Sequence, residues 1–245
     1  MPSPGTVKGI KPRGRRVEHR IAWQGDVVDN GDAAHYSGVF GSTRVHRHYA
    51  VQLIECPTRF AIVVDEQPHD GVAVILLDTN VPHAIRSSGI GNFSYFAPHS
   101  ERGRQLRAFL DGRGAVVLDG PPSAIPVVGD AGDRHQLAVA IVTWVGAQIA
   151  SNPLTPLRTA DVSSQFHLSE SAILRVLRDE LAVTFSSVVK WERLCVALRL
   201  IVEGESVTEA AAGGGFFDGP HFTRVCNEML GLPPKLLDVG LVRPG

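Results

Sequence analysis

Ser169-Glu170-Ser171-Ala172-Ile173-Leu174-Arg175-Val176-Leu177 and Asp218-Gly219-Pro220-His221-Phe222-Thr223-Arg224-Val225-Cys226 belong to one stretch, Leu157 to Pro234, and they read alike. In the first segment Ile173, Val176, Leu177 and Leu181 recur at the spacing of a helix's buried stripe. Ser171, Leu174, Arg175 and Arg178 then fall on the opposite face. In the second, Phe222, Val225, Cys226 and Met229 form the stripe, and Pro220, Thr223, Arg224 and Asn227 face away. Ser169 and Asp218 are good N-caps, because a short side-chain oxygen accepts from the free N–H groups of a helix's first turn.

A shorter apolar-marked helix precedes each segment. The first covers Thr159 to Phe166, and the second covers Ser206 to Ala212, opened by the capping-box pattern Ser206-Val207-Thr208-Glu209. A longer helix, from about Ser187 to Val202, joins the pairs and buries Trp191, Leu194, Leu198, Ile201 and Val202. Arg175 and Arg224 stand about fifty residues apart, one repeat of a tandem helical unit. The stretch therefore predicts two helix-turn-helix units on a shared connecting helix.

At these residues the chain resembles the AraC/XylS-type transcription regulators. The shared pattern includes Leu168-Ser169, Arg175, Trp191-Glu192-Arg193-Leu194 with Ala197, Glu205 to Ala210, Gly215-Phe216, His221-Phe222-Thr223-Arg224, and Gly231 followed by Pro233. The resemblance implies two recognition helices entering adjacent major-groove segments on one face of DNA. It places Ser171, Leu174, Arg175 and Arg178, then Gly219, Pro220, Thr223 and Arg224, at the groove. Some residues depart from the family. Gly213, Gly214 and Gly215 run together where larger apolar residues are usual, and glycine inside a helix costs about 1 kcal/mol against alanine. A looser second unit is expected on that ground. His167 and Ala182 replace frequent glycines, and Gly219 and Pro220 have no side-chain donor for a base edge.

Upstream the texture changes. Met1 to Arg20 is rich in Pro, Gly, Lys and Arg and reads as a disordered basic tail. From about Ile21 to Val128, short β-rich runs alternate with turns: Tyr36–Phe40, Arg44–Ile54, Phe60–Val64, Val72–Leu77, Phe93–Ala97 and Ala115–Leu118. They predict a small sandwich or barrel, similar to the cupin-like effector domain that precedes the DNA-binding domain in many such regulators. His46-Arg47-His48 sets two histidines on one face if that run is a strand, and His83 follows from a neighbouring run. Three imidazoles are a possible metal set, but Gln52 stands where metal-binding cupins place glutamate, so no metal is expected; His46, His48 and His83 are read either as effector contacts or as histidines hydrogen-bonded inside or at the mouth of the barrel. Asp111 to Arg134 reads as loop. His135 to Ala150 reads as a helix, with Leu137, Ile141, Trp144, Val145 and Ile149 at helical steps, packing on the barrel or against a second copy. Ser151 to Pro156, with two prolines, reads as an interdomain hinge.

The fold class expected is α+β: a tail at 1–20, a cupin-like β-barrel domain at 21–130, a helix and linker at 131–156, and an all-α domain with two helix-turn-helix units at 157–240. The chain has 245 residues, 44% of them hydrophobic, and no apolar run of the ~18 residues that span a membrane. Cys56, Cys195 and Cys226 are too scattered for a disulfide framework or a metal pattern, which fits a reducing cytoplasm. From Leu157 to Gly245 nine Lys/Arg stand against eleven Asp/Glu, so DNA attraction must come from local charge at Arg158, Arg175, Arg178, Arg193 and Arg224. Weak binding by a monomer, with gain from a homodimer, is the expected consequence. The function expected is a non-enzymatic, effector-responsive transcription regulator without a cofactor. Its partners would be promoter DNA, RNA polymerase and a small molecule, with no membrane. The competing readings are a metal-dependent cupin enzyme acting through His46, His48 and His83, and a helical scaffold that binds protein.

Overall fold

The structure is a computed structural model and describes residues 23–29, 31–120, 129 and 131–241. The basic tail and residues 121–128 of the Gly/Pro/Asp-rich loop lie outside the described residues. The N-terminal half comprises β1 (Trp23–Asp29), β2 (Ala33–Phe40), β3 (Val51–Val64), β4 (Gln67–Leu77), β5 (His83–Ile85), β6 (Gly89–Phe96), α1 (Glu101–Leu110) and β7 (Ala115–Leu118). The helical half comprises α2 (Asp133–Ser151), α3 (Thr159–Phe166), α4 (Glu170–Leu181), α5 (Phe185–Val202), α6 (Val207–Gly213) and α7 (Gly219–Met229). A single 3-10 turn, Pro234–Leu236, then leads into β8 (Leu237–Leu241).

The strands form one sheet in the order β7-β4-β3-β6-β2-β1-β8, with β5 paired to β3 off that path. The α+β organisation is as expected, but the sheet is not closed into a barrel. The register of β3 against β4 shifts between Glu55 and Ile62. The first half of β3 pairs with β6 and the second half with β5. A bulge lets one strand serve two sheet segments by adding local twist. One side buries an aromatic cluster, in which the Trp23 and Phe93 rings lie 4.8 Å apart and Phe40 and Phe93 5.1 Å apart. The other side of β3 and β4 takes Leu106 and Leu110 of α1.

Three strands fall outside the β-rich runs of the sequence reading. β1 and the short β5 were not among them, and β8 returns from the chain's end to pair in parallel with β1, Trp23 opposite Leu237. Residues 44–50 differ as well. Read as the start of a strand, they are irregular apart from one bridge between His46 and His83.

The helical half follows its predicted stripes closely. α5 is the spine. Val188, near its start, packs with Ile173, Val176, Leu177 and Leu181 of α4, while Leu194 and Ala197 pack with Phe222, Val225, Cys226 and Met229 of α7. Ser169, Ser206 and Asp218 accept N-cap hydrogen bonds from Ala172, Glu209 and His221. His167 and Ala182 close α3 and α4 in left-handed conformation, at φ 54° and 56°. α2 spends its buried face, Ala138, Ile141, Val142, Val145 and Ile149, mainly on α4 and α5, with Tyr49 from the sheet side.

The glycine run has a packing reason. A Cβ on Gly213 would lie 2.3 Å from Leu200 Cδ1, and one on Gly214 2.7 Å from the Ala197 Cβ. Gly215 has φ +74°, and its Cβ would meet the Pro153 carbonyl at 1.9 Å. These residues let α6 approach α5 and let the 151–156 linker lie against both. The linker is clamped at this point, because Arg193 also donates to the Thr155 carbonyl at 3.1 Å.

Candidate nucleic-acid interface and the groups beneath it

α4 and α7 present the residues assigned to the groove. On α4, Ser171, Arg175 and Arg178 are exposed, and Leu174 is 43% exposed despite its apolar side chain. On α7, Pro220 and Arg224 are exposed, and Gly219 and Thr223 are half-buried. Among the described residues, neither Arg175 nor Arg224 has a hydrogen bond or ion pair, so both guanidinium groups are free to meet a ligand. Arg178 is less free: its Nε lies 3.3 Å from Asp179 Oδ1, although the contact is solvent-exposed and weak. The Ser171 hydroxyl lies 3.1 Å from that of Ser169.

Other cations turn out to be engaged. Arg193 is partly buried against the linker, which holds its guanidinium below the usual range. Arg199 turns to the sheet and pairs with Asp29 at 2.7 Å. Arg193 therefore does not offer the outward charge that the sequence suggested for it. One surface residue escaped the sequence reading: Phe217, immediately before the N-cap of α7, is 92% exposed. Its only sequence signal was a second aromatic after Gly215-Phe216, which resembles core.

His46, His48 and His83 do come together. Their ligand atoms lie within 4.8 Å of one another, and all three rings are buried. Each Nδ1 donates to a backbone carbonyl: His46 to Arg44 at 2.9 Å, His48 to Ala50 at 2.8 Å and His83 to Val81 at 2.9 Å. His48 Nε2 lies 3.1 Å from the Gln52 side-chain amide, while His83 Nε2 is buried without a partner among the described residues. Burial pushes all three imidazoles down, that of His46 to about 3. This set could hold a metal through its Nε2 atoms, with a neutral amide where a carboxylate would add charge. It does not line the larger cavity between the two halves, which is walled instead by Tyr49, Tyr95, Trp191 and Glu192.

The backbone near the histidines reaches α7. Arg47 donates its N–H to the Glu228 carbonyl at 3.1 Å, and Arg44 to the Gly231 carbonyl at 2.7 Å. Trp191 of α5 stands between the halves, its ring 6.2 Å from that of His48.

The helix-turn-helix geometry is matched by a family described as a helix-turn-helix domain, over residues 162–237. The chain is also 35% identical over 98 residues to an uncharacterized HTH-type transcriptional regulator, YfiF, of Bacillus subtilis. Residues 162–237 thus carry a helix-turn-helix domain similar to that of such regulators. The match with YfiF spans 40% of this chain and 31% of that protein. In the whole fold, the chain is similar to ToxT of Vibrio cholerae, with a TM-score of 0.53 at 12% identity, covering 84% of this chain and 99% of that one. A ToxT structure with unsaturated fatty acid bound has a TM-score of 0.50, again at 12% identity, covering 84% and 95%.

Proposed function

We propose that this AraC-type chain is a sequence-specific, DNA-binding transcription regulator that responds to a small molecule. The observation that carries the reading is the pair of capped helices, α4 and α7, each exposing an arginine with no partner among the described residues. A guanidinium can bond N7 and O6 of guanine together, which discriminates by about 1–3 kcal/mol. Arg175 and Arg224 take that role, with Ser171, Leu174 and Arg178 beside the first and Gly219, Pro220 and Thr223 beside the second. The domain limits proposed are 21–130 for sensing and dimerisation and 157–240 for DNA, with 131–156 between them and the tail at 1–20.

A near-neutral helical domain supports action as a homodimer, since two weak sites on one duplex gain by effective concentration. Contact with RNA polymerase and residence in the cytoplasm follow from the same reading. Likeness in fold to ToxT, which has been solved with a fatty acid bound, supports an effector role for the N-terminal half. The histidine cluster favours the enzymatic alternative, but the burial of all three rings supports a structural role and a non-enzymatic protein. Selection from random duplexes tests the proposal: an enriched motif is expected, and none would overturn it. Elemental analysis tests the alternative, which would require stoichiometric metal that is lost in His48→Ala.

A further inference from the structure

Between the sheet and helices α2 and α5 lies a cavity of about 360 Å³, within the range of small-molecule sites. Tyr49, Tyr95 and Trp191 line it, with the Trp191 ring 6.0 Å from Tyr49 and 6.5 Å from Tyr95. Glu192, one residue along α5, brings a carboxylate into this apolar setting. It lies so close to α2 that a Cβ on Gly146 would be 3.1 Å from Glu192 Oε2. Among the described residues, none donates a hydrogen bond to this carboxylate. Burial pushes its pKa up to about 7, against the opposing pull of Arg199.

The charges around the cavity do not balance. Arg199 is the only lysine or arginine among the described residues lining it, and it is held by Asp29 at 2.7 Å. Asp32 adds a further carboxylate to the lining. His99 is no counter-charge, since burial lowers its pKa and its Nδ1 lies 2.9 Å from the Tyr49 hydroxyl. An anion entering here would face Glu192, Asp29 and Asp32 with one committed cation. A cation would meet an unpaired carboxylate and three aromatic rings, whose π-faces attract positive charge.

We propose that this cavity binds a small organic ammonium ion, with its charged head on Glu192 and its apolar body against Tyr49, Tyr95 and Trp191. The assignment rests on the effector-responsive reading and gives that effector a chemical class. The site is placed to matter, because α5 is the helix on which both helix-turn-helix units pack. A ligand bridging α5 to the sheet would fix the spine of the DNA-binding half.

Calorimetric titration of the full chain at pH 8 with 2-phenylethylammonium, 2-phenylethanol and 3-phenylpropionate tests this. The ammonium ion should bind about tenfold or more tightly than the neutral alcohol, and the carboxylate should not bind. Glu192→Gln should remove the ammonium preference and leave the alcohol unchanged. Should that variant fail to fold, the series on the natural chain decides alone. Equal or tighter binding of the alcohol or the carboxylate would overturn the proposal, as would no binding by any of the three. DNA affinity measured in parallel separates the two readings. Ammonium binding without a change in DNA affinity would overturn the effector reading and leave the cavity assigned. Carboxylate binding that changes DNA affinity would do the reverse.

Discussion

Arg107 of α1 donates from Nη1 to the backbone carbonyl of Glu180, 2.8 Å away, in the last turn of α4. The same guanidinium pairs with Asp78 at 3.0 Å. Thr79 donates to the neighbouring Leu181 carbonyl at 3.4 Å. The last carbonyls of a helix have no partner within it and carry partial negative charge, so a cation there is stabilising. The sheet-bearing half thus holds the C-terminal end of α4, as the Arg44 and Arg47 backbone holds the end of α7. Both helices assigned to DNA are tethered to the half assigned to sensing, and movement of the sheet against α5 would reach both.

Removing the first tether should weaken the fold. Arg107→Ala leaves Asp78 and the Glu180 carbonyl without their cation, and a loss of about 1–3 kcal/mol in urea denaturation is expected. Asp78→Asn should cost less, because the contact to α4 remains. A change below about 0.5 kcal/mol for Arg107→Ala would show that the contact is not maintained in solution.

The two free arginines should act on sequence preference. Arg175→Ala and Arg224→Ala should each lower affinity for the selected motif by about 1–3 kcal/mol while leaving random duplexes nearly unchanged. Fluorescence anisotropy on both kinds of duplex measures this. Arg178→Ala should show a smaller effect, spread over all sequences, as a phosphate contact would. Equal losses on both duplexes for Arg175→Ala would assign it to the backbone instead.

Two backbone substitutions should act in opposite directions. Gly215→Ala forces a Cβ into a left-handed residue against the Pro153 carbonyl, and the conformation alone costs about 1–2 kcal/mol. Ala182→Gly relieves the same conformation at the end of α4 and should stabilise by about 1 kcal/mol. Thermal unfolding of the full chain checks both signs.

Acid should destabilise the chain through the buried histidines. Their folded pKa values lie below the ordinary 6.5, that of His46 at about 3, so the unfolded chain binds more protons between those limits. The stability they confer is complete above about pH 7 and is lost as pH falls from 6.5 toward 3. His46 should contribute a loss of about 1.4 kcal/mol by pH 5.5, and His48 and His83 add losses of the same sign. Urea titrations between pH 7.5 and 5.5, with a chelator present, should show this. A flat profile would mean that the cluster is solvated.

Much of the helical half was legible because its signals are local. Ile173, Val176, Leu177 and Leu181 mark a stripe without reference to any other element, and Ser169 and Asp218 mark where the helices begin. The sheet was less so. β8 depends on a partner more than 200 residues earlier in the chain, and no local pattern announces a parallel pairing with β1. Residues 45–48 alternate like a strand, yet the backbone of this segment bonds to α7 as well as to β5. The glycines at 213–215 read as weakness until α5 and Pro153 were in place to show what they admit. The cavity at Glu192 was invisible for the same reason, since its walls come from five separate parts of the chain.

Methylation interference at guanine N7, run on a selected duplex, tests the central claim most directly. Two blocks of interfering guanines per bound chain are expected, with centres one helical turn or about 34 Å apart. Arg175→Ala should erase one block and Arg224→Ala the other. A single block, or two blocks unaffected by either substitution, would contradict the account.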